Sequence, residues 1–243
     1  MEKLTTAFLK RRNLNEILQD TLFFIKQDYR QLFKSLLYIA GPFMLIASIL
    51  NASIQPELQE MLRNPDNLEN FSPKSLFLRQ DVIISMFMGL LSHAIFLCAT
   101  YGYIILYIHK GKNNFTITDV YTLVRTNVLS IFVTLILVLI LVIFGFFLFI
   151  IPGVWIAVSL SIIFIIRIYE KLGFNDAFHK SFSLVRREWW KMFLIYVVSF
   201  AVVYFGSILI SIPQLIANQI FGLGGPVDEL SGVQSNMSFF VNT

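Results

Sequence analysis

The sequence predicts an all-α protein, a polytopic bundle of transmembrane helices with amphipathic helices lying on the cytoplasmic face of the membrane. Three observations carry that expectation. Residues 126–166 run for forty-one positions, TNVLSIFVTLILVLILVIFGFFLFIIPGVWIAVSLSIIFII, without one charged side chain. A helix needs about 20 apolar residues to cross roughly 30 Å of hydrocarbon, so this run suits two spans. Ile151-Pro152-Gly153 lies past its middle, where Pro favours the first turn of a new helix and Gly permits a reversal, which predicts a hairpin. A buried hairpin of a water-soluble protein would carry polar stripes on both helices, and this one has none. Composition agrees, with 56% hydrophobic and 14% charged residues against about 25% charged in soluble domains. Finally, the cations are sorted along the chain. Lys and Arg number seven in 1–38, three in 109–126 and six in 167–191, sixteen together, against three in 55–81 and none after 220. Positive loops stay inside, so the N-terminus is expected in the cytoplasm. The net charge of +4 is thereby a topology signal and implies no nucleic acid.

In chain order, MEKLTTAFLKRRN lacks the apolar core of a cleaved signal, so the first span is expected to act as a signal-anchor. Over 14–35 the apolar residues Leu14, Ile17, Leu18, Leu22, Ile25, Tyr29, Leu32 and Phe33 recur at i, i+3/i+4, with Glu16, Asp20, Lys26 and Arg30 on the other side. Asn13 or Asn15 suits its cap. An amphipathic helix feeding an apolar one is expected to lie in the membrane interface. The first span is 36–54, kinked at Gly41-Pro42. An outer loop, 55–81, holds a short helix from Pro56 to Arg63 and a turn at Asn64-Pro65-Asp66-Asn67. The second span, 82–108, contains His93 and ends in the cationic stretch His109–Asn114. Thr116 or Thr118 opens a brief amphipathic turn to Arg125. The hairpin supplies spans 127–150 and 152–168. A second amphipathic segment, 175–187, precedes the fifth span, 190–220, bent at Pro213, and an outer tail at 222–243. Tyr107, Tyr169, Trp189 and Trp190 are expected at cytoplasmic ends and Trp155 near the outer end of the fourth span, as an aromatic belt. All of this forms one membrane domain.

An internal repeat is suggested by NEILQDTLFFIKQDYRQLF (15–33) over NDAFHKSFSLVRREWWKMF (175–193), which align without a gap. Glu16 meets Asp176, Thr21 meets Ser181, and Asp28 meets Glu188, although only two positions are identical. If each unit is an interfacial helix plus a span out and a span back, three units require six spans. Five are visible, so a sixth is expected after Thr243 or the last unit is incomplete.

Ile151-Pro152-Gly153-Val154-Trp155, then Tyr169-Glu170, then Ala177 through Val185 with Ser181, and finally Trp189-Trp190 form a loose pattern over most of the chain. It resembles the membrane domain attached to some bacterial glycerophosphodiester phosphodiesterases, and related multi-span bacterial membrane proteins. The resemblance implies a six-span bundle in the bacterial cytoplasmic (inner) membrane. The phosphodiesterase chemistry of that family belongs to a separate soluble domain absent from these residues, so no catalytic residue carries over.

The residues offer little chemistry of their own. Cys98 is alone, which rules out an internal disulfide and a cysteine zinc cage and leaves a small packing residue. His93 is the one ionisable group expected near the bilayer midplane, where such groups are functional candidates. With no acid or second histidine at its depth, a neutral ring bonded to a neighbouring helix is the simpler expectation. His109 and His179 lie in different settings and make no metal site. Neither a phosphate loop nor a nucleophile elbow is present, so no enzyme activity and no cofactor is expected. The surface that stands out is Lys180, Arg186, Arg187, Trp189, Trp190 and Lys191, placed to hold anionic lipid or a partner protein, or simply to anchor the helix at the interface. Asn51, Gln214 and Asn218 suit interhelical glue or a cavity lining. The expected function is that of a non-enzymatic membrane protein working through its interfacial helices. The alternative is a small-molecule or lipid transporter with a cavity between spans.

Overall fold

The computed structural model describes residues 13–63, 79–112 and 114–221, and among them all regular structure is helical. The turn at 64–67, most of the outer loop, the first twelve residues and the tail after 221 lie outside the described residues. So do the side chains of Pro213, Gln214 and Asn218. The chain divides into two compact units, Met1–Met192 and Phe193–Thr243.

Helix α1, Leu14–Ile39, starts where Glu16 folds back to accept the Asn13 backbone N–H at 3.0 Å, the reciprocal half of an N-terminal cap. It runs four residues past the expected junction at 35 and stops at Ala40. Helix α2, Gly41–Arg63, then leaves at 57°. The bend falls where Gly41-Pro42 was expected to kink the first span. It takes the form of a break after which Pro42 sits in the first turn of a new helix, where it forfeits no hydrogen bond. Pro56 lies inside α2, so the separate helix expected from Pro56 is the end of this one.

Helix α3, Gln80–Lys110, ends at Gly111, whose φ of 81° is one that residues with a side chain rarely adopt. Helix α4, Ile117–Leu148, begins at a reciprocal cap. The Thr116 N–H donates to Asp119 Oδ2 at 2.7 Å, and the Asp119 N–H donates to Thr116 Oγ1 at 3.4 Å. It runs unbroken into the apolar stretch, so the brief amphipathic turn expected at 116–125 is simply its first turns.

The hairpin exists, but it turns at Phe149, earlier than Ile151-Pro152-Gly153. Phe149 is fully extended and α5, Ile150–Leu160, begins directly after it. Gly153 serves packing instead of the reversal. A Cβ there would lie 2.6 Å from the Phe146 ring, and one on Gly145 would lie 3.0 Å from the Gly153 Cα. Two glycines facing each other let the arms close directly above the turn. Helix α6, Ile163–Glu170, continues α5 after a short offset and ends at Lys171 with φ 55°. Helix α7, Phe174–Arg186, is the expected amphipathic segment. Helix α8, Trp189–Phe221, passes into the second unit, where residues 193–221 carry no charge.

Among the described residues four helices are long and apolar enough to cross a membrane: Gln80–Lys110, Ile117–Leu148, Ile150–Glu170 and Trp189–Leu209. The bent pair Asn15–Ile39 with Gly41–Pro56 makes a fifth if counted as one span. Within the first unit the core is apolar and small-residue rich, with Ala40, Ala94, Ala99, Tyr103, Val120, Ile131, Leu160 and Ile163 each fully covered. Large apolar side chains such as Leu129, Ile140, Phe147 and Ile151 face outward, as lipid requires and water forbids.

Candidate functional site

One end of the first unit gathers polar groups from five helices. Tyr103 donates its hydroxyl to Asp28 Oδ2 at 2.5 Å, joining α3 to α1, and both residues are buried. Gln31 donates to the Phe115 carbonyl at 3.1 Å and Lys112 to the Gln27 carbonyl at 3.1 Å. Lys110 pairs with Asp119, and the His109 ring lies against Tyr169 with centroids 5.5 Å apart. Lys180 of α7 reaches Glu170 at 2.6 Å. Arg167 turns inward, donating to the Ser130 carbonyl at 3.1 Å and to the Thr134 hydroxyl. Its buried Nε has no hydrogen-bond partner among the described residues.

The buried face of α1 is Asp28, Ser35 and Ile39, with Phe24, Gln31 and Leu32 half-covered. Its most apolar residues point the other way, Phe33 at 64% exposed and Leu22 at 63%. Beside them Lys26, Arg30 and Lys34 form an exposed i, i+4 row. Greasy and cationic stripes that share one outward surface are the pattern of a helix lying in a headgroup layer.

Helix α7 presents Ala177, Ser181 and Val185 to the bundle, all buried. Their i, i+4, i+8 spacing makes a narrow stripe of small side chains that admits close approach. Ser181 donates to the Ser159 carbonyl at 2.5 Å. Farther along, Phe182 meets Trp155 with centroids 5.2 Å apart. Trp155, Phe182, Ser183, Arg186 and Arg187 line a groove of about 630 Å³. This corrects one expectation. Trp155 and the arginine pair were placed at opposite ends, and the structure brings them together because α7 folds back along α5 and α6.

The six residues singled out for lipid or partner contact therefore separate. Lys180 is paired with Glu170, and Lys191 with Glu188 at 2.9 Å. Trp189 and Trp190 stack edge to face, centroids 5.0 Å apart. Arg186 and Arg187 are exposed and carry no ion pair among the described residues.

His93 is exposed on α3 and, among the described residues, does not make the expected hydrogen bond to a neighbouring helix, since the inward face there belongs to Ser92, Ala94 and Ile95. Cys98 is buried, its Sγ 4.0 Å from the Val124 carbonyl, as a packing residue should be. Asn51 accepts from Ser85 at 2.9 Å and joins α2 to α3. Among the described residues no cluster of His, Cys, Asp or Glu could hold a metal ion. The aligned repeat positions sit in different settings: Asp28 is buried and Glu188 exposed, Thr21 exposed and Ser181 buried. No protein-family model matches the chain, nor does any curated protein or solved structure.

Proposed function

We propose that this chain is a non-enzymatic multi-pass protein of a bacterial cytoplasmic membrane, with its N-terminus inside, that holds anionic lipid through its interfacial helices. The observation that carries the reading is the outward surface of α1, where Lys26, Arg30 and Lys34 run beside exposed Leu22, Ile25, Tyr29 and Phe33. Such a surface has hydrocarbon below it and phosphates beside it only at a bilayer interface. The filled, apolar interior of the first unit supports a scaffold over a carrier. The resemblance to the membrane domain of glycerophosphodiester phosphodiesterases agrees with the proposed location.

A basic residue near an anionic leaflet contributes about 1 kcal/mol, so the three on α1 are worth roughly a hundredfold in lipid preference. The test is lipid retention by the purified protein, comparing phosphatidylglycerol with phosphatidylcholine. K26Q/R30Q/K34Q is expected to lose most of the anionic preference. An unchanged preference, or none in the native protein, would sink the proposal.

A further inference from the structure

We infer that the groove between α5 and α7 is a discrete site for one anionic phospholipid, its phosphate held by Arg186 and Arg187 and its upper acyl chain lying against Trp155 and Phe182. This rests on the proposed lipid-contact function and deepens it from a surface to a site.

The argument begins with charge. Of the cations on α7 and the start of α8, Lys180 and Lys191 are already neutralised by Glu170 and Glu188. Arg186 and Arg187 are adjacent, exposed and without an ion pair among the described residues. Trp155 and Phe182 line the groove beside them, with Ser183. Trp155 lies five residues beyond Ile150 on α5, about 7.5 Å of helix rise, and the turn below it exposes Phe147, Phe149, Ile150 and Ile151. Guanidinium groups beside a lipid-facing hairpin demand an anion, because hydrocarbon solvates them poorly. In a membrane the abundant anion at such a boundary is the phospholipid phosphate. Guanidinium matches it with paired N–H donors where ammonium offers only a point charge.

Shape agrees with charge. The groove has two aromatic walls, a small hydroxyl at Ser183 and two cations at its rim, enclosing about 630 Å³. That volume takes a headgroup and the first carbons of a chain. Two aromatic rings and two cations share its lining, the mixed polarity of the molecule proposed to fill it.

The test is native mass spectrometry of the full chain released from micelles containing phosphatidylglycerol or phosphatidylcholine, scoring the lipid retained longest under activation. Loss of each arginine should weaken that lipid about fivefold, so R186Q/R187Q is expected to abolish preferential retention of phosphatidylglycerol. Ser183→Trp, which fills the groove and keeps both charges, is expected to abolish it too. K26Q/R30Q/K34Q should still retain this one lipid while losing the weaker shell. Retention surviving in Ser183→Trp would overturn the site in favour of plain surface charge. Native protein that keeps an anionic preference untouched by R186Q/R187Q would overturn this inference and leave the α1 reading standing. Helical circular dichroism of Ser183→Trp, an exposed position, verifies that folding is intact.

Discussion

Tyr103→Phe is the substitution whose cost follows most directly from the geometry. The Tyr103 hydroxyl is fully buried and donates at 2.5 Å to Asp28, itself only 5% exposed. Removing the hydroxyl leaves the ring packed against Phe115, whose centroid is 5.0 Å away, so almost no volume is lost. What is lost is a hydrogen bond to a carboxylate, about 1.5–3 kcal/mol, with a buried oxygen left short of a donor. We expect Tyr103→Phe to destabilise the protein by about 2 kcal/mol. Asp28→Asn should cost less, since the amide oxygen accepts the same bond. The decisive measurement is a double-mutant cycle with Asp28→Leu, read by dodecyl sulfate unfolding in mixed micelles. The double variant should be more stable than the sum of the singles implies, by about 1.5–3 kcal/mol. Additivity within about 0.5 kcal/mol would refute the claim that this pair fastens the interfacial helix to the bundle.

Four further substitutions probe the hairpin and the helix that folds back on it. Gly153→Val puts branched carbon where a Cβ alone would already meet the Phe146 ring at 2.6 Å. It should cost about 1–3 kcal/mol, measured as a lowered thermal midpoint, whereas Pro152→Ala, at a position whose missing N–H no helix uses, should be nearly silent. Ser181→Ala removes the bond to the Ser159 carbonyl and should cost about 0.5–1.5 kcal/mol. Ser181→Leu should cost more, because it wedges α7 away from α5.

What could be read from the chain was what depends on side-chain polarity summed over many residues. The all-α architecture and the long apolar helices of the hairpin follow from that, and the structure has them. Two charged residues escaped for the same reason. Arg167 was counted among the cytoplasmic cations and Asp28 was noted only as a repeat position, yet both turn inward, Asp28 to Tyr103 and Arg167 to Ser130 and Thr134. Periodicity assigns a polar side chain to the wet face, and only a partner on a distant helix reverses that. The turn at Phe149 left no trace either, because a single extended Phe has no distinctive residue type. The fold-back of α7 did leave a signal: Ala177 and Ser181, four apart, were visible as part of a pattern, but the packing meaning of two small residues on one face was not drawn from them.

That fold-back bears on how the cations mark orientation. Without Arg186 and Arg187, the remaining Lys and Arg of the three basic segments number fourteen, still against three in 55–81. Thirteen of these fall in 1–38, 109–126 and 167–180, and the fourteenth is Lys191. The arginine pair does a different job. A turn between two spans that emerged into water would not expose Phe147 at 86%, Phe149 at 76% and Ile151 at 83%, since polar residues cost nothing there and apolar ones order water around them. The turn is built to stay among acyl chains or at their border. Two guanidinium groups lie beside Trp155, about 7.5 Å of helix rise from Ile150, and an indole is a side chain suited to a membrane boundary. On the site proposed above, the counter-ion of these arginines is a lipid and not a residue.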